Sequence, residues 1–178
     1  MENDIQIKEG LFSNEALNRY SSPDKIQDHL LEQYKIYFES ADRISSRRQS
    51  ANSFFVTINT ALIALTGYVC LGSDAAHGPY WLVGLSGVIL SYMWYRLIRS
   101  YRDLNSAKFK VIHEIEAHLP ISPFDAEWEA VGRGKNRKLY LPFTHIEIYV
   151  PWIFLILHIT TFIRSFPWEI ASNISCFS

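Results

Sequence analysis

Cysteine is nearly missing: there are two in 178 residues, Cys70 inside an apolar run and Cys176 near the last position. That excludes a disulfide framework, a Cys-rich zinc site and a CxxC redox centre. An excess of either charge is missing too, since 17 Lys+Arg stand against 18 Asp+Glu, so no global field draws the chain to nucleic acid. Gly-rich phosphate cradles are missing. The segment GRGK at 132–135 lacks the other glycines and the Ser/Thr of a Walker loop, and reads as a helix stop followed by a basic turn. The stretch HEIEAH (113–118) has histidines five apart, not the four that put two ligands on one helix face. It reads as a solvated helix face, with neither a metal nor a cofactor implied. No nucleophile with a base beside it remains, and the chain is expected not to be an enzyme.

Charge is also missing locally, and there the absence is informative. Residues 51–71 and 80–95 contain no Asp, Glu, Lys or Arg, and neither do residues 148–163. The runs 51–71, 80–98 and 146–163 have 21, 19 and 18 residues, which at helical rise match the ~30 Å hydrocarbon core. The sequence therefore predicts an all-α integral membrane protein with three transmembrane helices. The first run begins fifty residues in, behind a charged segment, so it is not expected to be a cleaved signal.

Lys and Arg set the orientation. Arg43, Arg47 and Arg48 precede the first span, Arg96, Arg99, Arg102, Lys108 and Lys110 close or follow the second, and the connector 72–79 has none. By the positive-inside rule the N-terminus and the middle segment are cytoplasmic. Lys135, Arg137 and Lys138 precede span three and only Arg164 follows it, which places the C-terminal tail outside.

Apolar positions Ile26, Leu30, Tyr34, Tyr37, Ala41 and Ile44 step by 4, 4, 3, 4 and 3, a heptad-like seam on an amphipathic helix. Ser22 as N-cap and Pro23 at the first helical position mark its start, and residues 23–71 read as one helix of about 70 Å. The rhythm returns at Leu97, Tyr101, Leu104, Lys108, Val111, Ile115 and Leu119, with Lys108 out of character, until Pro120. The first two spans thus extend into a long cytoplasmic helical hairpin. A short helix follows, capped by Ser122, opened by Pro123 and closed by Gly132. Thr144 and Glu147 match a capping box at the start of span three, making Glu147 a cap. The expected order is a flexible N-terminus (1–22), cytoplasmic helix (23–50), span one (51–71), span two (80–98), cytoplasmic helical segment (99–145), span three (146–163) and extracytoplasmic tail (164–178).

Polar side chains inside the spans are the candidate functional residues. Asn52, Asn59 and Thr66 recur at seven, and Ser53, Thr60 and Gly67 recur at seven beside them. An amide in hydrocarbon needs partners, so this stripe faces other helices, as interhelical glue, or a pore. Arg47 and Arg48 would lie at the cytoplasmic mouth. Gly84, Gly87 and Ser91 form a small face suited to close helix packing. His158, mid-span, is a candidate pH-sensitive group.

The stretches ADRISSRRQSANSFFVTINTAL (41–62), YRLIRSYRDLNSAKFKVIHEIEAHLPISPF (95–124) and YLPFTHIEIYVPWIF (140–154) resemble the RipA family of octameric bacterial membrane proteins. They also look like the wider SLATT group of small two-span membrane effectors, from which a third span departs. The resemblance, over about residues 25–160, implies an octameric inner-membrane ring, and the SLATT likeness implies a pore-forming or membrane-perturbing effector. The expectation is a homo-oligomeric, channel-like protein of the bacterial inner membrane, with itself and the lipid bilayer as partners and no nucleic acid. The alternative is a non-conducting oligomeric scaffold whose cytoplasmic helices recruit a cytosolic protein partner.

Overall fold

The computed structural model describes residues 10–71, 80–135 and 146–168. The described residues are helical, with no strand among them: α1 (Asn14–Leu17), α2 (Pro23–Leu71), α3 (Trp81–Glu116), α4 (Pro123–Ala130) and α5 (Tyr149–Ser165), with a 3-10 turn at Gly132–Gly134. α2 opens on Pro23, whose missing N–H costs nothing at the first helical position, and Asp24 complements the free amides of that turn.

Of the three expected spans, α3 is the described helix that is both long and apolar enough to cross a membrane. α5 is apolar but has 17 residues. It opens at Tyr149, with no side-chain cap, directly after a turn at Ile148 that follows the helical residues Ile146 and Glu147. α2 carries Asn52 and Asn59 within its apolar half. The connector 72–79, Arg137, Lys138, Thr144 of the capping box and the tail beyond Trp168 lie outside the described residues.

The chain forms two compact units, Met1–Arg48 with Ser100–Phe143, and Gln49–Arg99 with Thr144–Ser178. In the first, Ala41 of α2 and Ile112 and Ile115 of α3 are buried, whereas Leu104, expected on the seam, is exposed. Lys108 fits its apolar seam because its ammonium donates to Ser40 Oγ at 2.9 Å and lies 4.4 Å from the centre of the Tyr37 ring. In the second unit Phe55, Trp94 and Ile98 form the core, with Ile58, Leu90, Ile148 and Phe154 packed around it. The Phe55 and Trp94 rings stack at 5.8 Å.

Candidate functional site

The second unit is built around one amide. Asn59 is fully buried. Its Nδ2 donates to Phe55 O one turn back at 2.8 Å, which fixes the amide so that Oδ1 points to the neighbouring helices as an acceptor. Ser91 Oγ of α3 donates to that oxygen at 3.1 Å, and His158 Nε2 of α5 lies 3.0 Å from it. Because Oδ1 can only accept, the His158 proton sits on Nε2. Three helices therefore meet on one carbonyl oxygen. Two turns away, Trp94 Nε1 donates to Asn52 Oδ1 at 2.9 Å, which satisfies an indole N–H that is otherwise sealed in the core.

Two glycines make the convergence possible. A β-carbon at Gly87 would overlap the His158 ring, and one at Gly84 would lie 2.8 Å from Phe162 N and 2.9 Å from its Cα. The Gly84, Gly87, Ser91 face is thus the surface on which α5 seats, and the closest approach is backbone to side chain.

The expected polar stripe divides. Asn52 and Asn59 turn inward, each to a partner on another helix, and Thr66 Oγ1 folds back on Leu62 O at 2.9 Å. Ser53 and Thr60, one position further round, are exposed, as is Gly67, where a β-carbon would meet nothing. Adjacent columns of a helix lie 100° apart, so one packs and its neighbour does not. The exposed column is longer than the seven-residue repeat indicates: Ser53, Thr57, Thr60, Ala64 and Gly67 step by 4, 3, 4 and 3 and all are exposed. Arg47 is exposed and Arg48 half-buried.

The first unit has a cluster of its own, and it corrects two expectations. Glu116, in the stretch read as a solvated face, is fully buried. Ser122, read as the N-cap of α4, makes no side-chain cap and instead donates from Oγ to Glu116 O at 3.2 Å. Glu116 itself caps α4: Oε1 accepts from Phe124 N at 3.0 Å and Oε2 from Asp125 N at 3.1 Å, two of the amides a helix start leaves unmet. Tyr34 of α2 donates to Oε1 at 2.9 Å, and His113 Nδ1 lies 3.6 Å from Oε2. Burial first, then the hydrogen bond to Glu116 and its charge, push the Tyr34 hydroxyl up to about 12. The sequence signal that would have found this cap is Pro123-Phe124-Asp125, a helix start needing acceptors, seven residues after an acid at the end of α3.

After α4 the chain turns through Gly132, Arg133 and Gly134 with φ of 67°, 51° and 68°. Arg133 is thereby brought back along α4, 2.6 Å from Glu129 and 3.3 Å from Asp125. Those carboxylates, Glu129 foremost, hold the guanidinium above its ordinary pKa. Arg133 is accordingly paired within its own helix-and-turn segment.

A family model for an octameric membrane protein family (8xMP) matches residues 31–167, a stretch that contains Tyr34, Asn59, Glu116 and His158. Comparison with curated proteins and with solved structures gives no match.

Proposed function

The chain belongs to the octameric membrane protein family, and on that premise we propose that it forms a channel-like homo-octamer in the bacterial inner membrane. In this reading the apolar halves of α2 and α3, together with α5, are its three spans. Arg47, Arg48, Arg99 and Arg102 keep the N-terminal side cytoplasmic and leave the C-terminus outside. No catalytic role is assigned. Glu116, the acid of HEIEAH that is sealed from solvent, is used as a helix cap.

The observation that carries the reading is the exposed column Ser53, Thr57, Thr60, Ala64 and Gly67. Other exposed faces of the same unit are large and apolar, among them Leu82 and Ile89 of α3 and Ile153, Ile156 and Ile163 of α5, as suits lipid. A column of small side chains with three hydroxyls gains little from lipid and suits an aqueous axis. Eightfold repetition would turn each position into a collar. Asn52 and Asn59 are already committed to interhelical bonds, so they are glue and the lining role passes to Ser53 and Thr60.

The test is conductance of verified octamers in a planar bilayer, wild type against Thr60→Phe. Discrete steps that the bulky residue diminishes support the proposal. Equal steps in both remove α2 from the lining. A silent wild type shifts weight to the scaffold reading, which the exposure of Ile36 (66%) and Ile121 (72%) in the first unit favours as a surface for a cytosolic partner.

A further inference from the structure

One exposed column of α3 changes character along its length. Leu82, Leu85, Ile89, Tyr92, Arg96 and Arg99 step by 3, 4, 3, 4 and 3, and each of them is exposed. Positions so spaced share one face of a helix, so the face passes from aliphatic to aromatic to cationic. α5 repeats the change beside it: Ile163, Ile159, Ile156, Trp152 and Tyr149 are exposed at steps of 4, 3, 4 and 3 and end on two aromatic rings. The two ends stand level, because the Tyr95 and Trp152 rings meet edge to face at 5.2 Å.

The polar atoms at that end are open to a ligand. Arg99 Nη1 donates to Tyr95 Oη at 3.2 Å on the exposed surface, which leaves the phenol's own proton without an acceptor among the described residues. Arg96 makes no ion pair or hydrogen bond with a described residue. No Asp or Glu stands in residues 75–102, and Asp103 is held by Arg102 at 3.0 Å. Two guanidinium groups and a phenol therefore offer N–H and O–H donors and positive charge, with no described carboxylate paired to them. About 21 Å along α3 from Tyr95, the opposite end has a ring cluster too, Trp81 with Phe162 and Phe166, but among the described residues Arg164 is its lone cation.

We propose that Arg99, Tyr95 and Arg96 bind the phosphodiester of an anionic phospholipid whose acyl chains lie along the aliphatic part of the same column. The guanidinium fork of Arg99 matches two phosphate oxygens, and the Tyr95 O–H beside it adds a donor. Trp152 and Tyr149 take the level just below the headgroup, where amphipathic rings settle. A zwitterionic headgroup would bring an ammonium toward Arg96; a headgroup of net negative charge would not. Lipid binding here needs α3 and α5 to face the bilayer and does not need the octamer to conduct.

The experiment equilibrates the full-length octamer with vesicles of equal parts phosphatidylglycerol and phosphatidylcholine, extracts it in mild detergent and counts the retained lipids by native mass spectrometry. The expected result is phosphatidylglycerol retained in preference to phosphatidylcholine, up to one per protomer, and not displaced by excess inorganic phosphate. Arg96→Gln and Arg99→Gln are each expected to lower that preference about fivefold, the worth of one cation near an anionic headgroup, with the octamer intact. Tyr95→Phe, which keeps the ring on Trp152, is expected to lower it less, and Arg164→Gln to leave it unchanged. Equal retention of the two lipids overturns the proposal. So does a fall with Arg164→Gln that matches the fall with Arg99→Gln, since charge at any height would then suffice. Displacement by inorganic phosphate assigns the site to a free anion, and loss of the octamer in Arg99→Gln assigns that arginine to a subunit contact; either outcome also overturns it.

Discussion

Each unit of the molecule is tied together by one fully buried acceptor, and the two acceptors differ in kind. In the second unit it is the neutral amide of Asn59, receiving Ser91 and His158; in the first it is the carboxylate of Glu116, receiving Tyr34 and two backbone amides of α4. The choice follows the donors. A carboxylate offers two oxygens and a full charge, which suits the positive end of a helix. An amide brings no net charge into an apolar helix bundle, and its own N–H can be returned to the helix it stands on, as at Phe55 O. A charge is held where a helix dipole meets it, and a dipole where nothing would.

That contrast can be broken at several points. Glu116→Ala should have the largest effect, because it leaves a tyrosine hydroxyl and two helix-start amides without an acceptor. The expected loss is about 3–5 kcal/mol in chemical unfolding, with α4 the first element to lose amide-exchange protection. Gly87→Leu drives a side chain into the His158 ring and should cost about 3 kcal/mol, read as earlier unfolding in a detergent titration. Asn59→Leu should cost less, about 1–2 kcal/mol, since interhelical hydrogen bonds among apolar helices are worth little individually. If Asn59→Leu proves as damaging as Glu116→Ala, the distinction between the two acceptors is wrong. The smallest effect is a pH dependence. The folded-state value of Tyr34 is about 12 against an ordinary 10.0, so the folded form holds its proton more tightly. Its contribution is complete below about pH 10 and is lost as pH rises through about 12. Tyr34→Phe should remove that alkaline step from the melting profile.

Much of this was written in the periodicity. The 4-3 steps from Ile26 to Ile44 and from Leu97 to Leu119 mark the long helices, and Gly84, Gly87 and Ser91 mark a packing face, because spacing alone decides which residues share a side. Spacing does not decide which of two adjacent columns is covered. Asn52 and Ser53 both repeat at seven, and only their surroundings separate them: the Asn52 side chain meets Trp94, and Ser53 is exposed. Glu116 was illegible for a different reason. A charged residue near the end of an amphipathic helix reads as solvated unless the next helix is already known to begin beneath it. The contact of Phe109 of α3 with Phe124 of α4 arises from the folding of α4 back on α3, which no pattern within either helix contains.

The meeting of three helices on Asn59 also sets an order in time. Ser91 is 32 residues further along the chain and His158 is 99. At a synthesis rate of ~5–20 residues per second, the amide oxygen waits roughly 5–20 s between its own emergence and that of the imidazole. Until the imidazole emerges, Ser91 is the other-helix donor available to that oxygen. A chain cut short before His158 would leave the buried Asn59 Oδ1 with the Ser91 hydroxyl as its interhelical donor and without the imidazole of α5.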